Sequence, residues 1–285
     1  MPLSGFLIVL TAAVCHATWN VCIKRINGGP ELIWLFSTIS VILYLPLAIW
    51  IIVTQQPVFG LIEVFFVVGS VALHLGYFLL LQTGYRKGDL SLVYPIARAT
   101  GPLLSGAFAV LFLGELITVQ MTAGAVIVVC GVLMLSGGLS SRGTKAPQSL
   151  AFGTAAGLLI GSYTAWDAFT VATLLVPPVL LDYASSVGRA VVLTPYARRN
   201  KRLIASHWAN HKAGVLLVSV FNPLAYILVL YALTFTPVTY VAPTREISVV
   251  LTVLAGSILL GEGHLKHRLI WASVIVAGTV MLVSG

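Results

Sequence analysis

Five ionisable residues, Arg98, Asp167, Arg189, Arg245 and Glu246, stand inside stretches of sequence that are otherwise almost wholly apolar. A charge at the centre of a lipid bilayer costs roughly a few kcal/mol or more, so it faces a cavity or a partner rather than lipid. Two readings follow for this set. Arg98 and Arg245 anchor an anionic group of a ligand while Asp167 or Glu246 takes up a proton, or each arginine is a strut paired with an acid on another helix. Asp167 favours the first reading, because it follows Trp166 in mid-stretch and takes the place that uncharged Asn20 holds after Trp19. Arg245 and Glu246 are sequence neighbours and cannot face one another on a helix, so each needs a partner elsewhere.

Around these charges lie aromatic and amide residues that suit the wall of a small polar chamber: His16, Trp19, Asn20, His74, Tyr77, Tyr94, Tyr163, Trp166, Asn222 and Tyr226. Tyr94-Pro95 and Ala242-Pro243 place a proline inside an apolar run just ahead of Arg98 and Arg245, and Pro223 follows Asn222. Proline deletes a helical hydrogen bond and frees a carbonyl, giving either a ligand-binding break or a kink. His207 and His211 have the spacing of two metal ligands on a helix, but no acid or cysteine completes a set, and an interfacial basic segment is the better reading. His264 and His267 read the same way. Cys15, Cys22 and Cys130 fall singly in apolar runs. No metalloprotease or nucleophile-elbow pattern is present, so we assign no catalytic residues, metal or cofactor. Glu115 and Glu262 close apolar runs and read as structural acids at helix starts.

The elements that must carry these residues are membrane spans. Of 285 residues, 59% are hydrophobic and 8% charged, against roughly a quarter charged in soluble domains. Each span takes about 20 apolar residues. Apolar runs at 4-25, 31-53, 61-84, 89-113, 119-138, 149-172, 178-197, 213-234, 237-260 and 267-284 predict ten spans, the polar run at 178-197 being the least regular. Met1 leads directly into the first of them. The net charge of +8 is dispersed over short loops rather than gathered on a solvated face, which argues against a nucleic-acid partner.

One offset of 147 residues, the separation of Arg98 and Arg245, also aligns Trp19 with Trp166, Pro30 with Pro177, Gly114-Glu115 with Gly261-Glu262, and Gly131 with Gly278. The chain is therefore a duplication, with units at 1-140 and 149-285. A unit of five spans is odd, so its second copy enters the membrane upside down. Charge placement agrees. Lys24, Arg25, Arg86 and Lys87 follow the first and third helices of the first unit, whereas Arg198, Arg199, Lys201, Arg202, Lys212, Lys266 and Arg268 follow the second and fourth helices of the second. With Arg142 and Lys145 between the units, thirteen of the sixteen Lys and Arg fall on one side, which the positive-inside rule makes cytoplasmic, with both termini outside. The predicted fold is an all-α membrane protein of ten transmembrane helices in two inverted five-helix repeats.

Trp19-Asn20 and Trp166-Asp167, Lys87-Gly88 with Ser91, Tyr94-Pro95 and Arg98, and Leu113-Gly114-Glu115 echoed by Leu260-Gly261-Glu262 give the chain a resemblance to the drug/metabolite transporter superfamily, and within it to the EamA-like permeases. It spans nearly the whole chain. The second half departs at Thr236-Pro237, which replaces Lys-Gly, and at Pro243, one place beyond the counterpart of Pro95. The resemblance implies secondary transport through a central cavity lined by the first, third and fourth helices of each half, and names no substrate. From it we expect a multi-pass protein of the cell inner membrane, monomer or homodimer, that exports a small polar metabolite such as an amino acid by alternating access with proton coupling. A lipid-headgroup flippase is the alternative and an intramembrane enzyme the more distant one. Arg98, Arg245 and the wall residues would bind substrate, and Asp167 and Glu246 would carry the proton.

Overall fold

A backbone in hydrocarbon can bond only to itself, which leaves the helix as the available form for these runs. The computed structural model describes residues 1–87, 90–135, 146–259 and 265–284. Those residues form eleven helices and no strand: α1 (Leu3–Ile26), α2 (Pro30–Gln55), α3 (Leu61–Lys87), α4 (Leu90–Phe112), α5 (Val119–Leu135), α6 (Ala146–Ala172), α7 (Pro178–Arg199), α8 (Lys201–Leu233), α9 (Val238–Thr244), α10 (Ile247–Leu259) and α11 (Leu265–Ser284). They make ten spans, because α9 and α10 share the ninth. Gly88, Arg142, Lys145, Gly261, Glu262 and His264 lie outside the described residues.

Local sequence sets the helix ends. α1 stops where Asn27 turns left-handed at φ 51° and returns its N–H to the Ile23 carbonyl; Gly28-Gly29 follow, and Pro30 opens α2 at a position where its missing N–H costs nothing. α2 closes the same way at Gln56, φ 43°, ahead of Pro57. Gly114 has φ +67° in the turn after α4, a conformation that an L side chain adopts only under strain.

Leu3–Ile23, Pro30–Gln55, Leu61–Leu80 and Lys201–Leu233 are long and apolar enough to cross a membrane unaided, and Ile96–Phe112, Val119–Met134 and Leu269–Leu282 are shorter apolar runs. α6 and α7 are more polar because they turn Thr164, Asp167, Thr170, Asp182, Ser185 and Ser186 into the protein, where all six are buried. The large apolar side chains left exposed, such as Leu45, Trp50, Phe65, Leu111 and Val280, form the lipid-facing surface.

The two halves pack as a pseudo-twofold pair. α1 of the first half lies on α8, the third span of the second, while α3 lies on α6, the first span of the second; likewise α1 meets α10 as α4 meets α6, α2 meets α7, and α5 meets α11. Each of these contacts has its twin. An odd number of spans per half makes the twofold an inverting one. His207, in the basic stretch after α7, sits 3.2 Å from Glu31 at the start of α2, joining two basic loops at one end of the bundle. Gln120 at the start of α5 donates to Ser284 at the end of α11, at the opposite end.

Small residues let helices that carry function come close. Gly153, Gly157 and Gly161 of α6 face α4, where an added methyl would collide with Ile96, with Thr100 and with Leu104. This stripe holds Arg98 of α4 beside the helix that bears Asp167. Gly124 of α5 and Gly278 of α11 meet backbone to backbone, with an added Cβ only 2.8 Å from the opposite carbonyl.

Two details depart from the sequence reading. The two proline-bearing spans are not alike: α4 runs unbroken through Pro95, while the ninth span breaks after Pro243, where Ser248 bonds back to Arg245 and Val249 to Glu246 in tight turns. Helix α8 also begins at Lys201 rather than near 213, because the basic segment is helical up to a bend at His211, where φ is −135° and ψ 30°.

Candidate functional site

A narrow, partly open chamber lies between the helices, lined by Ala12, Ala13 and His16 of α1, Arg98 of α4, Ala225, Tyr226 and Val229 of α8, and Arg245 and Ser248 at the α9–α10 break. Sequence reasoning named His16, Arg98, Tyr226 and Arg245 for such a wall. Ser248 was missed, since a serine in an apolar helix usually bonds its own backbone.

Arg98 reaches across to the break, with Nη2 at 3.3 Å from a Glu246 carboxylate oxygen and donating to Ser248 Oγ at 3.2 Å. The contact with Glu246 is an ion pair rather than an aligned hydrogen bond. Arg245, next in sequence to Glu246, points the other way, with its guanidinium 5.6 Å from the centre of the Tyr226 ring and within hydrogen-bond reach of the Tyr163 hydroxyl. Among the described residues no carboxylate lies within 4.0 Å of Arg245. On the α1 side, Trp19 donates its indole N–H to His16 Nδ1 at 3.2 Å. In the neutral ring that leaves Nε2 with the proton, so His16 is a donor on its free edge.

Behind the Tyr226 ring lies Asp167, 0% exposed. Its Oδ2 accepts from the Tyr226 hydroxyl at 2.6 Å and sits 2.9 Å from His74 Nε2, while Oδ1 has no hydrogen-bond partner among the described residues. His74 stacks on Tyr163 at 4.0 Å, and Tyr77 packs edge-on against Tyr163 at 5.7 Å. Asp167, His74, Tyr77, Tyr163 and Tyr226 thus form one group from α6, α3 and α8, with Asp167 and Tyr163 buried and the other three half-buried. It touches the chamber through Tyr226.

Other residues proposed from sequence sit elsewhere. Trp166 turns away from the chamber, donating to the Phe66 carbonyl at 2.7 Å and stacking on the Phe66 ring. Trp19 packs toward Ile26, Leu32 and Phe36, and Asn20 and Asn222 are half-buried on α1 and α8. Tyr94 lies on α4, its side chain outside the described residues. Arg189 forms a separate polar patch with Ser37 and Ser186, beside buried Asp182 two turns earlier on α7. His207 meets Glu31, and no cluster suited to a metal occurs among the described residues.

Two further arrangements brace the site. Pro223 cannot bond the Ser219 carbonyl, and Ser40 of α2 shares its hydroxyl proton between that oxygen and its own Phe36 carbonyl, each at 2.8 Å, while Tyr44 one turn on donates to Val220 O at 2.7 Å. Glu115 takes the amides of Val238 and Thr239 at 2.7 and 2.9 Å, capping α9 from the other half of the molecule. It edges a second, more open cavity at the end away from the basic loops.

No characterised protein sequence matches the chain. A solved structure whose title reads only "Crystal structure of protein" superposes with a TM-score of 0.76 at 14% identity, covering 99% of this chain and 96% of its own, and supports the fold alone. The profile of the EamA-like transporter family matches residues 3–137 and again 149–284, one match for each half of the duplication. With both inverted halves and the chamber between them accounted for, the chain belongs to the EamA-like transporter family, within the drug/metabolite transporter superfamily.

Proposed function

We propose that this membrane transporter is a secondary carrier that moves a small polar metabolite by rocking its inverted halves about the central chamber, with the Asp167–His74 pair taking up the coupling proton. It works in the cell inner membrane with both termini outside, the side opposite the basic loops. The observation that carries this reading is the position of Tyr226. Its ring lies under the Arg245 guanidinium and its hydroxyl bonds Asp167. A solute that engages Arg245 therefore acts on the ring whose other end holds the carboxylate, which is the connection that coupling needs. The charged and titratable groups around the pair include Arg245 above Tyr226, the hydroxyls of Tyr163 and Tyr226, and the carboxyl of Asp182 on α7. Glu246, the other acid considered, is held by Arg98 and is the weaker candidate for the proton.

The test is uptake into proteoliposomes by the full chain, with and without an imposed pH gradient. In Asp167→Asn the gradient-driven component disappears while exchange of solute across the membrane continues. Full gradient-driven flux in that variant would remove Asp167 from coupling.

A further inference from the structure

The polar groups that face the chamber are not balanced. Glu246 is committed to Arg98, and Asp167 lies behind Tyr226 with no exposed surface. The Tyr226 hydroxyl has given its proton to Asp167, and His16 Nδ1 is filled by Trp19. What remains are donors: the Arg245 guanidinium, the Nε2–H edge of neutral His16, and the Ser248 hydroxyl, whose oxygen accepts from Arg98 and whose proton has no acceptor among the described residues. The rest of the wall is Ala12, Ala13, Ala225 and Val229, small apolar surface.

We infer that the transported solute is a small aliphatic monocarboxylate, held at Arg245 and Ser248, and that the site discriminates against the α-amino acid of the same skeleton. This deepens the proposed transport function and rests on it. A carboxylate supplies the acceptors that these donors lack. An ammonium group on the same ligand would enter a chamber whose lining holds two arginines and no carboxylate, so it would lose water beside like charge without a counter-ion, at a cost of at least about a few kcal/mol. The apolar half of the wall suits a short alkyl tail and offers nothing to additional hydroxyls.

Direct binding to the full chain in lipid nanodiscs separates this inference from the transport reading, since it needs no flux. The probes are propanoate, alanine, propylamine and inorganic phosphate, measured by titration calorimetry. Propanoate binds, and alanine binds more weakly by at least about tenfold, a difference of about 1.4 kcal/mol. Propylamine and phosphate show no binding. Arg245→Gln lowers propanoate affinity by about tenfold or more, while Arg245→Lys, which keeps a charge but loses the fork, retains part of it. Alanine or propylamine binding as tightly as propanoate overturns the proposal, as does phosphate binding equally well, an absence of propanoate binding, or an Arg245→Gln variant that binds propanoate unchanged. If propanoate binds as described but vesicles show no flux, the carrier reading fails and the ligand assignment stands.

Discussion

The Tyr226 hydroxyl donates a 2.6 Å hydrogen bond to Asp167, and this single contact joins the wall of the chamber to the buried acid behind it. The residues come from α8 and α6, so relative movement of those helices changes the bond. A carboxylate that gains or loses this donor changes its readiness to hold a proton.

Tyr226→Phe isolates that contact. The ring stays beneath Arg245, so affinity for the solute remains within about twofold. Gradient-driven flux falls by about tenfold, the worth of one charge-assisted hydrogen bond. Initial rates with and without a pH gradient, together with binding on the same preparation, give the answer. Equal loss of flux and affinity would mean that the hydroxyl serves the solute rather than Asp167.

Glu115 satisfies two amides at the start of α9 from a turn belonging to the other half. Glu115→Ala leaves both unpaired in a partly buried place and destabilises the protein by about 1–3 kcal/mol. Glu115→Gln keeps an acceptor and loses less. Thermal unfolding in micelles ranks the three proteins; unchanged stability in the alanine variant would show that water replaces the cap.

Ser40 and Tyr44 stitch α2 to α8 just ahead of Pro223, a turn away from Tyr226. Ser40→Ala and Tyr44→Phe each cost about 1 kcal/mol, as hydrogen bonds between membrane helices do. Because neither residue lines the central chamber, propanoate affinity stays as in the native protein. Turnover changes, since α8 is held less firmly against α2 where Pro223 leaves a carbonyl unbonded within the helix. Altered affinity with unchanged turnover would contradict this division.

Much of this was legible in the sequence. Rare residues in register, Trp19 with Trp166 and Arg98 with Arg245, exposed the duplication, and switched basic loops exposed the inversion. The chamber arginines and Asp167 stood out because charge in an apolar run needs a reason. Partners were harder to read. Glu115 looked like an acid at a local helix start, but the amides it binds lie 123 and 124 residues away. Trp166 shared the marks of a wall residue with its neighbour Asp167, yet consecutive helix positions point about 100° apart, and it faces α3 instead. The prolines read alike, but only the ninth span breaks, where Arg245 and Glu246 must serve partners on different sides.

Arg98 is the residue for which strut and binding roles have to be separated, and the pair with Glu246 allows it. Arg98→Ala alone leaves Glu246, 4% exposed, without its cation. Removing one partner of such a pair costs about 3–5 kcal/mol, and the variant loses folded protein whichever role is true. Replacing both, Arg98→Met with Glu246→Leu, removes the uncompensated charge and restores stability to near that of the native protein. Arg98 also bonds Ser248, which faces the chamber, so the double variant presents a weaker donor set there. Its unfolding temperature recovers while its affinity for propanoate falls several-fold. Recovery of both would reduce Arg98 to a strut and leave Arg245 to bind the solute without it.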